Sequence, residues 1–176
     1  MPNSKSLIAY FSRKGNNYVG GNTVNLPIGN TEIIAKKIQK LTGSDLFQIR
    51  TVKSYPDDYT ETTNVAQEEK RKNARPELLE KVKDMDSYDV IYIWYPNWWG
   101  TMPMAVLTFL EAYDFSRKTV VPYCTHEGSG MGSSERDIKK ACPHSKVLSG
   151  LAIRGGSVDR SDKDVENWLK KLDLMP

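Results

Sequence analysis

The stretch Val90-Ile-Tyr-Ile-Trp-Tyr-Pro-Asn-Trp-Trp-Gly-Thr101 begins with six consecutive apolar or aromatic residues and then reaches Pro96. A run of this length, rich in β-branched and aromatic side chains, predicts a strand that is buried on both faces of a sheet. Because proline has no N–H to donate, strand pairing is expected to end at Pro96. Thr101 suits a helix N-cap, and Pro103 suits the first helical turn. The stretch therefore predicts a buried strand, an aromatic loop and a helix, in that order.

Trp98 and Trp99 lie at the carboxyl end of this predicted strand. In an open parallel sheet, ligands bind in the crevice outside the carboxyl ends of the strands. Two adjacent indoles at such a position provide a flat apolar wall on which a planar ring can stack. The alternative is that both indoles close the end of the hydrophobic core. The usual composition of ligand pockets favours the ligand wall.

The composition is typical of a soluble globular protein, with 39% hydrophobic and 27% charged residues. A net charge of +3 over 176 residues is too small to indicate a nucleic-acid partner. Cys124 and Cys142 lack the spacing of metal ligands, so we expect buried free thiols in a reducing compartment. The sequence shows neither a signal peptide nor a membrane span. We therefore expect one cytoplasmic domain over residues 1–176.

The first apolar run, Ser6-Leu-Ile-Ala-Tyr-Phe11, predicts a central strand that leads into Ser12-Arg-Lys-Gly-Asn-Asn17. A strand followed by a loop of small and polar residues is typical of a phosphate cradle, since backbone N–H groups can approach an anion there. The expected helix is delayed, because residues 18–28 contain two glycines and a proline and predict a small hairpin. The helix begins near Gly29-Asn30-Thr31, and Gly43 ends it. The phosphate loop is therefore divided by an insertion.

The rest of the chain alternates between strand and helix patterns. We predict an edge strand at 44–52, an exposed helix at 63–74 and a short helical segment from Pro76 with Leu79, Val82 and Met85 facing inward. After the strand at Val90, we predict a helix at 104–113, a strand at 118–124 that contains Pro122, and a helix capped by Ser133 or Ser134. A last strand at 145–153 is followed by a final helix that begins with a capping box from Ser161 to Asp164. This order predicts an α/β three-layer sandwich with a five-stranded parallel sheet in the order 2-1-3-4-5. The loops after strands one, three and four carry the Gly, Ser, Thr and Trp residues, and they converge at the switch point of that order.

Three motifs give the chain a resemblance to flavodoxin-type FMN proteins over essentially its whole length. They are Tyr10-Phe-Ser-Arg-Lys-Gly15 resumed at Gly29-Asn-Thr31, Tyr95-Pro-Asn-Trp-Trp-Gly-Thr101, and Thr125-His-Glu-Gly-Ser-Gly130. The resemblance implies FMN as the cofactor, with the first motif at its phosphate, the second against the isoalloxazine ring and the third at the pyrimidine edge of the ring. The implied cofactor-binding residues are Ser12, Lys14, Asn17, Asn30, Thr31, Pro96, Asn97, Trp98, Trp99, Gly100, Thr101, Thr125, His126, Glu127, Gly128, Ser129 and Gly130.

The resemblance leaves three functions open. The first is an electron carrier that works with a redox partner protein, although the slightly basic charge departs from acidic carriers. The second is an FMN-dependent NAD(P)H quinone-type oxidoreductase, in which the inserted hairpin walls a substrate pocket. The third is a binding module that has lost the flavin, and the intact Trp98-Trp99 pair argues against it. In either redox function, the carbonyl of Gly100 or of the Asn97–Trp98 peptide is a candidate acceptor for the flavin N5–H, and His126 and Glu127 are candidate proton donors. The fold alone cannot choose among these functions. The sequence favours the carrier and leaves the enzyme open.

Overall fold

A parallel sheet with helices on both faces organises residues 4–176, which the computed structural model describes. The strands are β1 (Ser6–Tyr10), β2 (Gly15–Val19), β3 (Asn22–Leu26), β4 (Asp45–Gln48), β5 (Val90–Pro96), β6 (Thr119–His126), β7 (Lys146–Val147) and β8 (Leu151–Arg154). The helices are α1 (Asn30–Thr42), α2 (Tyr59–Arg71), α3 (Met104–Glu111), α4 (Ser134–Ala141) and α5 (Asp162–Lys171), and short 3-10 turns occupy Met85–Ser87 and Gly155–Arg160.

The sheet has the order β4-β1-β5-β6-β7, and β8 also pairs with β6. The predicted order 2-1-3-4-5 is therefore confirmed, with β7 and β8 sharing the fifth position. The predicted last strand is interrupted at 148–150, between the two short strands that pair with β6. Pro122 is tolerated in β6 because it faces this interruption. The Pro122 carbonyl oxygen points toward Gly150. Any other residue at this position would direct its N–H to the same side, toward the interruption, so the missing N–H of proline costs no pairing.

The residues of β5 alternate between two hydrophobic cores. Ile91, Ile93 and Tyr95 pack with side chains of α3 and α4, whereas Tyr92 and Trp94 pack with those of α1 and α5. All six residues from Val90 to Tyr95 are buried. The prediction of a strand covered on both faces, which ends at Pro96, is confirmed.

Helix α1 begins after Gly29 and ends at Gly43, whose φ of 70° is the left-handed conformation that closes a helix. The inserted hairpin is also confirmed, although β2 starts earlier than predicted, at Gly15. Gly20 and Gly21 form its two-residue turn with φ of 60° and 92°. Positive φ at both turn residues matches the right-handed twist of the two strands. The two cysteines are buried and unpaired, as expected.

The predicted helix from Pro76 is wrong. Residues 77–79 run extended beside residues 50–52, where Val52 N–H donates to the Glu77 carbonyl and Leu79 N–H donates to the Arg50 carbonyl. Backbone pairing at this edge replaces the helix, so Leu78 packs against the core and Leu79 is 53% exposed. Val82 and Met85 do face inward.

The predicted helix at 63–74 starts earlier, at Tyr59, because the Asp58 carboxylate accepts from the Glu61 N–H and caps the helix at that point. Edge strand β4 is shorter than the predicted 44–52.

The predicted cap at Thr101 is wrong, whereas Ser133 and Ser161 do occupy the N-cap positions of α4 and α5 but make no capping hydrogen bond. Helix α3 starts at Met104, and the hydroxyl of Thr101 donates to Asp137 instead of capping α3. Ser161 and Ser133 precede α5 and α4 with ψ near 0°, so neither has the extended backbone that turns a cap oxygen toward the first helical amides. Their hydroxyls donate to the Val158 carbonyl and to Asp137.

Within residues 4–176, no helix combines the length and the apolar character that crossing a bilayer requires.

Candidate functional site

Two adjoining clefts lie at the carboxyl ends of β1, β5 and β6. The first cleft, about 310 Å³, is bounded by the start of α1, the inserted hairpin, residues 96–98 and residues 125–129. The second cleft, about 420 Å³, lies between α2 and residues 97–100. They share Arg13, Asn17, Tyr59, Asn97, Trp98 and Ser129. A larger groove of about 450 Å³ lies at the opposite, amino ends of β1, β5 and β6, away from all three predicted ligand loops.

The N-terminus of α1 forms the polar end of the first cleft. Gly29 lies so close to the preceding loop that a Cβ there would be 2.7 Å from the Arg13 carbonyl oxygen. The Ser12 hydroxyl accepts from the Glu32 N–H at 3.1 Å. Within residues 4–176, the N–H groups of Asn30 and Thr31 donate to no protein acceptor. Free amides at a helix N-terminus, beside a hydroxyl, suit an anion.

The Thr31 and Thr125 hydroxyls form a buried hydrogen bond of 2.8 Å across the floor of the first cleft. It joins the first turn of α1 to the end of β6, so the first and third predicted loops are held together. Thr31 therefore lies in the site, and its hydroxyl is engaged by Thr125.

Arg13 fixes this region, although its sequence context predicted no role for it. Its guanidinium donates to the carbonyls of Asn16, Pro56 and Asp57, and it also contacts the Asn17 side chain. Arginine offers five N–H donors in a planar fork, so one side chain can tie three segments together. Lys14, which the family resemblance implied near the phosphate, is exposed and lines neither cleft. The only sequence signal for Arg13 was its position inside the small-residue loop.

The second predicted loop folds into a two-residue turn. Trp98 and Thr101 exchange backbone hydrogen bonds of 2.8 and 3.3 Å, and Trp99 and Gly100 between them have φ of 55° and 82°. Such a turn suits glycine at both central positions. A left-handed conformation at a bulky residue costs on the order of 1–2 kcal/mol. Trp99 is therefore held against its own backbone preference.

The two tryptophans do not form one flat wall. Trp98 packs edgewise against Phe11 and Tyr55, with ring centroids 5.1 Å away in both pairs, and it borders both clefts. Trp99 borders only the second cleft and is 45% exposed. Its Nε1–H donates to the Thr63 carbonyl at 2.9 Å, and its own carbonyl accepts from Lys70. Trp98 is thus packed against the core, whereas Trp99 faces solvent.

Asn97 and Gly132 connect the tryptophan turn to the third loop. The Asn97 amide donates to the Gly130 carbonyl at 2.8 Å and accepts from the Gly100 N–H at 2.9 Å. The Gly100 carbonyl accepts from the Ser133 N–H at 2.8 Å, and Gly132 lies against it so closely that a Cβ would be 2.1 Å from the oxygen. The Gly100 carbonyl is therefore already engaged, which weighs against it as the acceptor for a flavin N–H.

The third predicted loop supplies few free polar groups. The His126 Nδ1 accepts from the Gly128 N–H at 2.9 Å, and burial together with Arg154 lowers the pKa of His126 despite the nearby Glu127. The lowered pKa favours the neutral imidazole, in which Nδ1 accepts and Nε2 carries the proton. Glu127 accepts from the Gly20 N–H at 3.0 Å and so joins the hairpin tip to this loop. Ser129 borders both clefts, whereas Gly128 is exposed at the rim.

Asp137 supports the tryptophan turn from behind. Its carboxylate accepts from the hydroxyls of Thr101 and Ser133, both at 2.7 Å. Burial works to raise the pKa of Asp137, but these two hydrogen bonds and Arg136 outweigh it, so the pKa lies below the ordinary 3.8. Thr101 is buried and engaged by Asp137, so it lies behind the clefts and borders neither.

We predict that Asp137→Asn destabilises the protein near neutral pH and that this difference disappears in acid. A carboxylate with a depressed pKa stabilises the fold above its unfolded pKa, and that contribution is lost as the pH falls through the folded value. The expected difference is about 1 kcal/mol at pH 7, because the carboxylate is partly exposed. Urea unfolding of both proteins between pH 7 and pH 2 measures it. A difference that persists unchanged at the lowest pH would contradict the assignment to ionised Asp137.

Comparison with known proteins places this geometry in a family. The family model for flavodoxin matches residues 5–172. Among solved structures, a protein from Bacteroides eggerthii assigned as a flavoprotein is 29% identical, with a TM-score of 0.78 over 96% of this chain and 98% of its own. A similarly assigned protein from Bacteroides uniformis is 26% identical, with a TM-score of 0.72 over 95% and 98% of the two chains.

A third similar structure, a flavoprotein from Lactobacillus acidophilus in complex with FMN, is 23% identical, with a TM-score of 0.66 over 90% of this chain and 98% of its own. At that identity the likeness shows a shared fold. Among curated proteins, none matches this chain significantly. Since the family model spans nearly the whole sequence and the sheet has the expected strand order, the chain belongs to the flavodoxin family.

Proposed function

We propose that this flavodoxin-family protein binds FMN in the first cleft and acts in electron transfer. The observation that carries the proposal is the convergence of an anion-binding helix start and an aromatic turn on one cleft. The free N–H groups of Asn30 and Thr31 suit the phosphate, and Trp98 supplies an apolar surface for the ring system. The Lactobacillus relative, which was solved in complex with FMN, supports the same cofactor here.

When bound, FMN supplies the redox chemistry, and the chain binds, orients and shields it. The Ser12 loop and the start of α1 would hold the anionic end. Asn97 holds the tryptophan turn against the third loop, so the ring would lie between two braced segments. The His126 Nδ1 already accepts from the Gly128 N–H, so Nε2 is the ring nitrogen through which His126 could donate to the cofactor.

A second candidate is an FMN-dependent NAD(P)H quinone-type oxidoreductase. The second cleft favours it, because a further cavity of about 420 Å³ adjoins the proposed cofactor site. In the carrier the electrons would pass to and from a redox partner protein, and in the enzyme they would come from NAD(P)H. Both partners, like the cytoplasmic location expected from the sequence, stay predictions.

An FMN titration of the purified protein tests the cofactor, with riboflavin as the control. We expect FMN to bind at least about 100-fold more tightly than riboflavin, since two charge-assisted hydrogen bonds contribute roughly 3 kcal/mol. Equal affinities would mean that the α1 N-terminus does not bind the phosphate. A protein that stays colourless after incubation with FMN would overturn the proposal.

Anaerobic addition of NADPH to the FMN-loaded protein then separates the two functions. A flavin spectrum that stays oxidised supports the carrier, which needs a protein reductant. Bleaching within the mixing time supports the oxidoreductase.

A further inference from the structure

The groove at the amino ends of β1, β5 and β6 has no part in the proposed cofactor site. It lies between the C-terminal ends of α1 and α5, and residues 171–176 form one of its walls. None of its lining residues borders the first or the second cleft. Its volume of about 450 Å³ falls within the roughly 300–1,000 Å³ that ligand pockets typically enclose. The groove is therefore large enough for a small organic molecule of its own.

The walls of this groove are largely apolar. Five apolar side chains line it, and each belongs to or packs against the core between the sheet, α1 and α5: Val90, Leu148, Leu172, Leu174 and Met175. Ser6 and Thr42 also line the groove, but both of their hydroxyls are hydrogen-bonded to Ser44, at 2.6 and 2.7 Å. An apolar molecule in the groove would thus extend the hydrophobic core that already lies beneath it.

Tyr92, in the middle of β5, brings an unpaired hydroxyl to this apolar groove. Only 1% of Tyr92 is exposed, and the hydroxyl has no hydrogen-bond partner within residues 4–176. The neighbouring Trp94 Nε1 and Tyr123 hydroxyl also lack partners, but both are fully enclosed, whereas Tyr92 lines the groove. Buried hydroxyl groups are usually hydrogen-bonded, because an unpaired one has lost its hydration without compensation. The Tyr92 hydroxyl therefore points to an oxygen atom that a ligand would supply.

The surroundings of this hydroxyl are neutral. Burial alone raises the pKa of Tyr92 to about 12, so at neutral pH the side chain keeps the proton that it can donate. The charged side chains that line the groove, Lys146, Lys171 and Asp173, are exposed at its rim and carry both signs. A carboxylate beside Tyr92 would lose its hydration without a cation next to it, whereas a carbonyl oxygen would gain a donor.

We propose that this groove is a second ligand site, which binds a small uncharged molecule with an apolar body and one carbonyl oxygen that accepts a hydrogen bond from the Tyr92 hydroxyl. The site goes beyond the proposed function, because it lies at the other end of the sheet from both clefts. Its occupant is not the cofactor and does not contact it.

An NMR titration of the full chain in saturating FMN, with labelled Val and Leu methyl groups, tests this site. The probe is acetophenone. Its comparison ligands are α-methylstyrene, which has the same shape with a methylene in place of the carbonyl oxygen, and benzoate, which is anionic. We expect acetophenone to shift the methyl signals of Val90, Leu148 and Leu172. We also expect it to bind more tightly than benzoate, because no cation lies beside Tyr92.

Tyr92→Phe and a matched control isolate the hydrogen bond. Tyr92→Phe should weaken acetophenone binding about fivefold and leave α-methylstyrene binding within about twofold, because only the ketone loses a donor. Comparing each ligand with itself removes the difference in hydration between ketone and hydrocarbon. Tyr88→Phe is the control, since the Tyr88 hydroxyl donates to Asp45 at 2.7 Å, outside the groove. It should leave the binding of both ligands within about twofold.

Urea unfolding of the same two variants checks the premise without a ligand. Tyr92→Phe should leave the urea midpoint unchanged, because no hydrogen bond within the protein is lost, whereas Tyr88→Phe should lower it. A lowered midpoint in Tyr92→Phe would mean that the protein itself satisfies this hydroxyl, and the proposal would be wrong.

Four binding results would overturn the second site. They are no detectable acetophenone binding, signal shifts confined to the two clefts at the carboxyl ends of the strands, tighter binding of benzoate, and an equal effect of Tyr92→Phe on acetophenone and α-methylstyrene. Tighter benzoate binding would show that Lys146 and Lys171 select an anion. An equal effect on the ketone and the hydrocarbon would show that water, rather than a ligand, pairs with Tyr92.

Discussion

Gly29→Ala should weaken FMN binding about 100-fold, which corresponds to about 2.7 kcal/mol. The backbone of Gly29, at φ of −66° and ψ of 146°, is one that alanine adopts freely, so the effect comes from lack of space. A Cβ at Gly29 would lie 2.1 Å from the Ser12 Oγ and 2.7 Å from the Arg13 carbonyl oxygen. The hydroxyl can rotate away, but the backbone carbonyl cannot. The loop must therefore move off the start of α1, and the proposed phosphate site opens. Quenching of flavin fluorescence measures the dissociation constant.

Gly156→Ala is the matched control for this substitution. A Cβ at Gly156 would meet only the Val19 side chain, at 3.9 Å, and its backbone is outside the left-handed region. We expect FMN affinity within about twofold of the parent protein, as for an ordinary surface change. If Gly29→Ala and Gly156→Ala bind FMN equally well, the phosphate does not lie at the Ser12–Gly29 contact.

Trp98→Ala should lower the free energy of unfolding by about 2–4 kcal/mol, somewhat less than the roughly 3–5 kcal/mol for deeply buried aromatic residues, because Trp98 is only partly buried. The substitution removes two edge-to-face contacts, with Phe11 and with Tyr55, each with a centroid distance of 5.1 Å. Aromatic pairs of this kind contribute about 0.5–1.5 kcal/mol beyond the burial of their surface. Urea unfolding of the FMN-free protein measures the loss without any contribution from the cofactor.

The neighbouring tryptophan is the control, because the two indoles occupy opposite environments. Trp99→Gly should change the free energy of unfolding by less than about 1 kcal/mol, since relief of the left-handed strain offsets the lost contacts with α2. Trp98→Phe should retain about half of the stabilisation. Equal destabilisation by Trp98→Ala and Trp99→Gly would show that the structure assigns the wrong indole to the core.

The inserted hairpin forms part of the boundary of the proposed cofactor site. Glu127 accepts from Gly20 at the hairpin tip, and the Tyr59 N–H donates to the Asn16 side chain at its base. The first cleft is therefore bordered by Tyr18 and Leu26 of the hairpin, as well as by the three loops of the sheet. This enclosure suits a protein that keeps its cofactor covered while the second cleft stays open beside Trp99.

The sequence by itself determined the strand at Val90–Tyr95, the extent of α1, the hairpin and the order of the sheet. These features depend on short runs of residues, on local turn chemistry and on the alternation of strand and helix patterns. All three can be recognised directly along the sequence. The sequence also placed the three ligand loops together, because the carboxyl ends of neighbouring parallel strands meet at one edge. The helix predicted from Pro76 was wrong because pairing with residues 50–52 outweighed the local pattern.

The tertiary structure alone decided which side chains in those loops border the two clefts. In the sequence, nothing distinguishes Arg13 from the other basic residues. In the structure, its guanidinium donates to the carbonyls of Pro56 and Asp57, which are far along the chain. Trp98 and Trp99 are adjacent and identical in sequence, yet packing against Phe11 and anchoring on α2 send their side chains to different environments. Such choices depend on distances between segments that are remote in sequence, and local propensity contains no information about those distances.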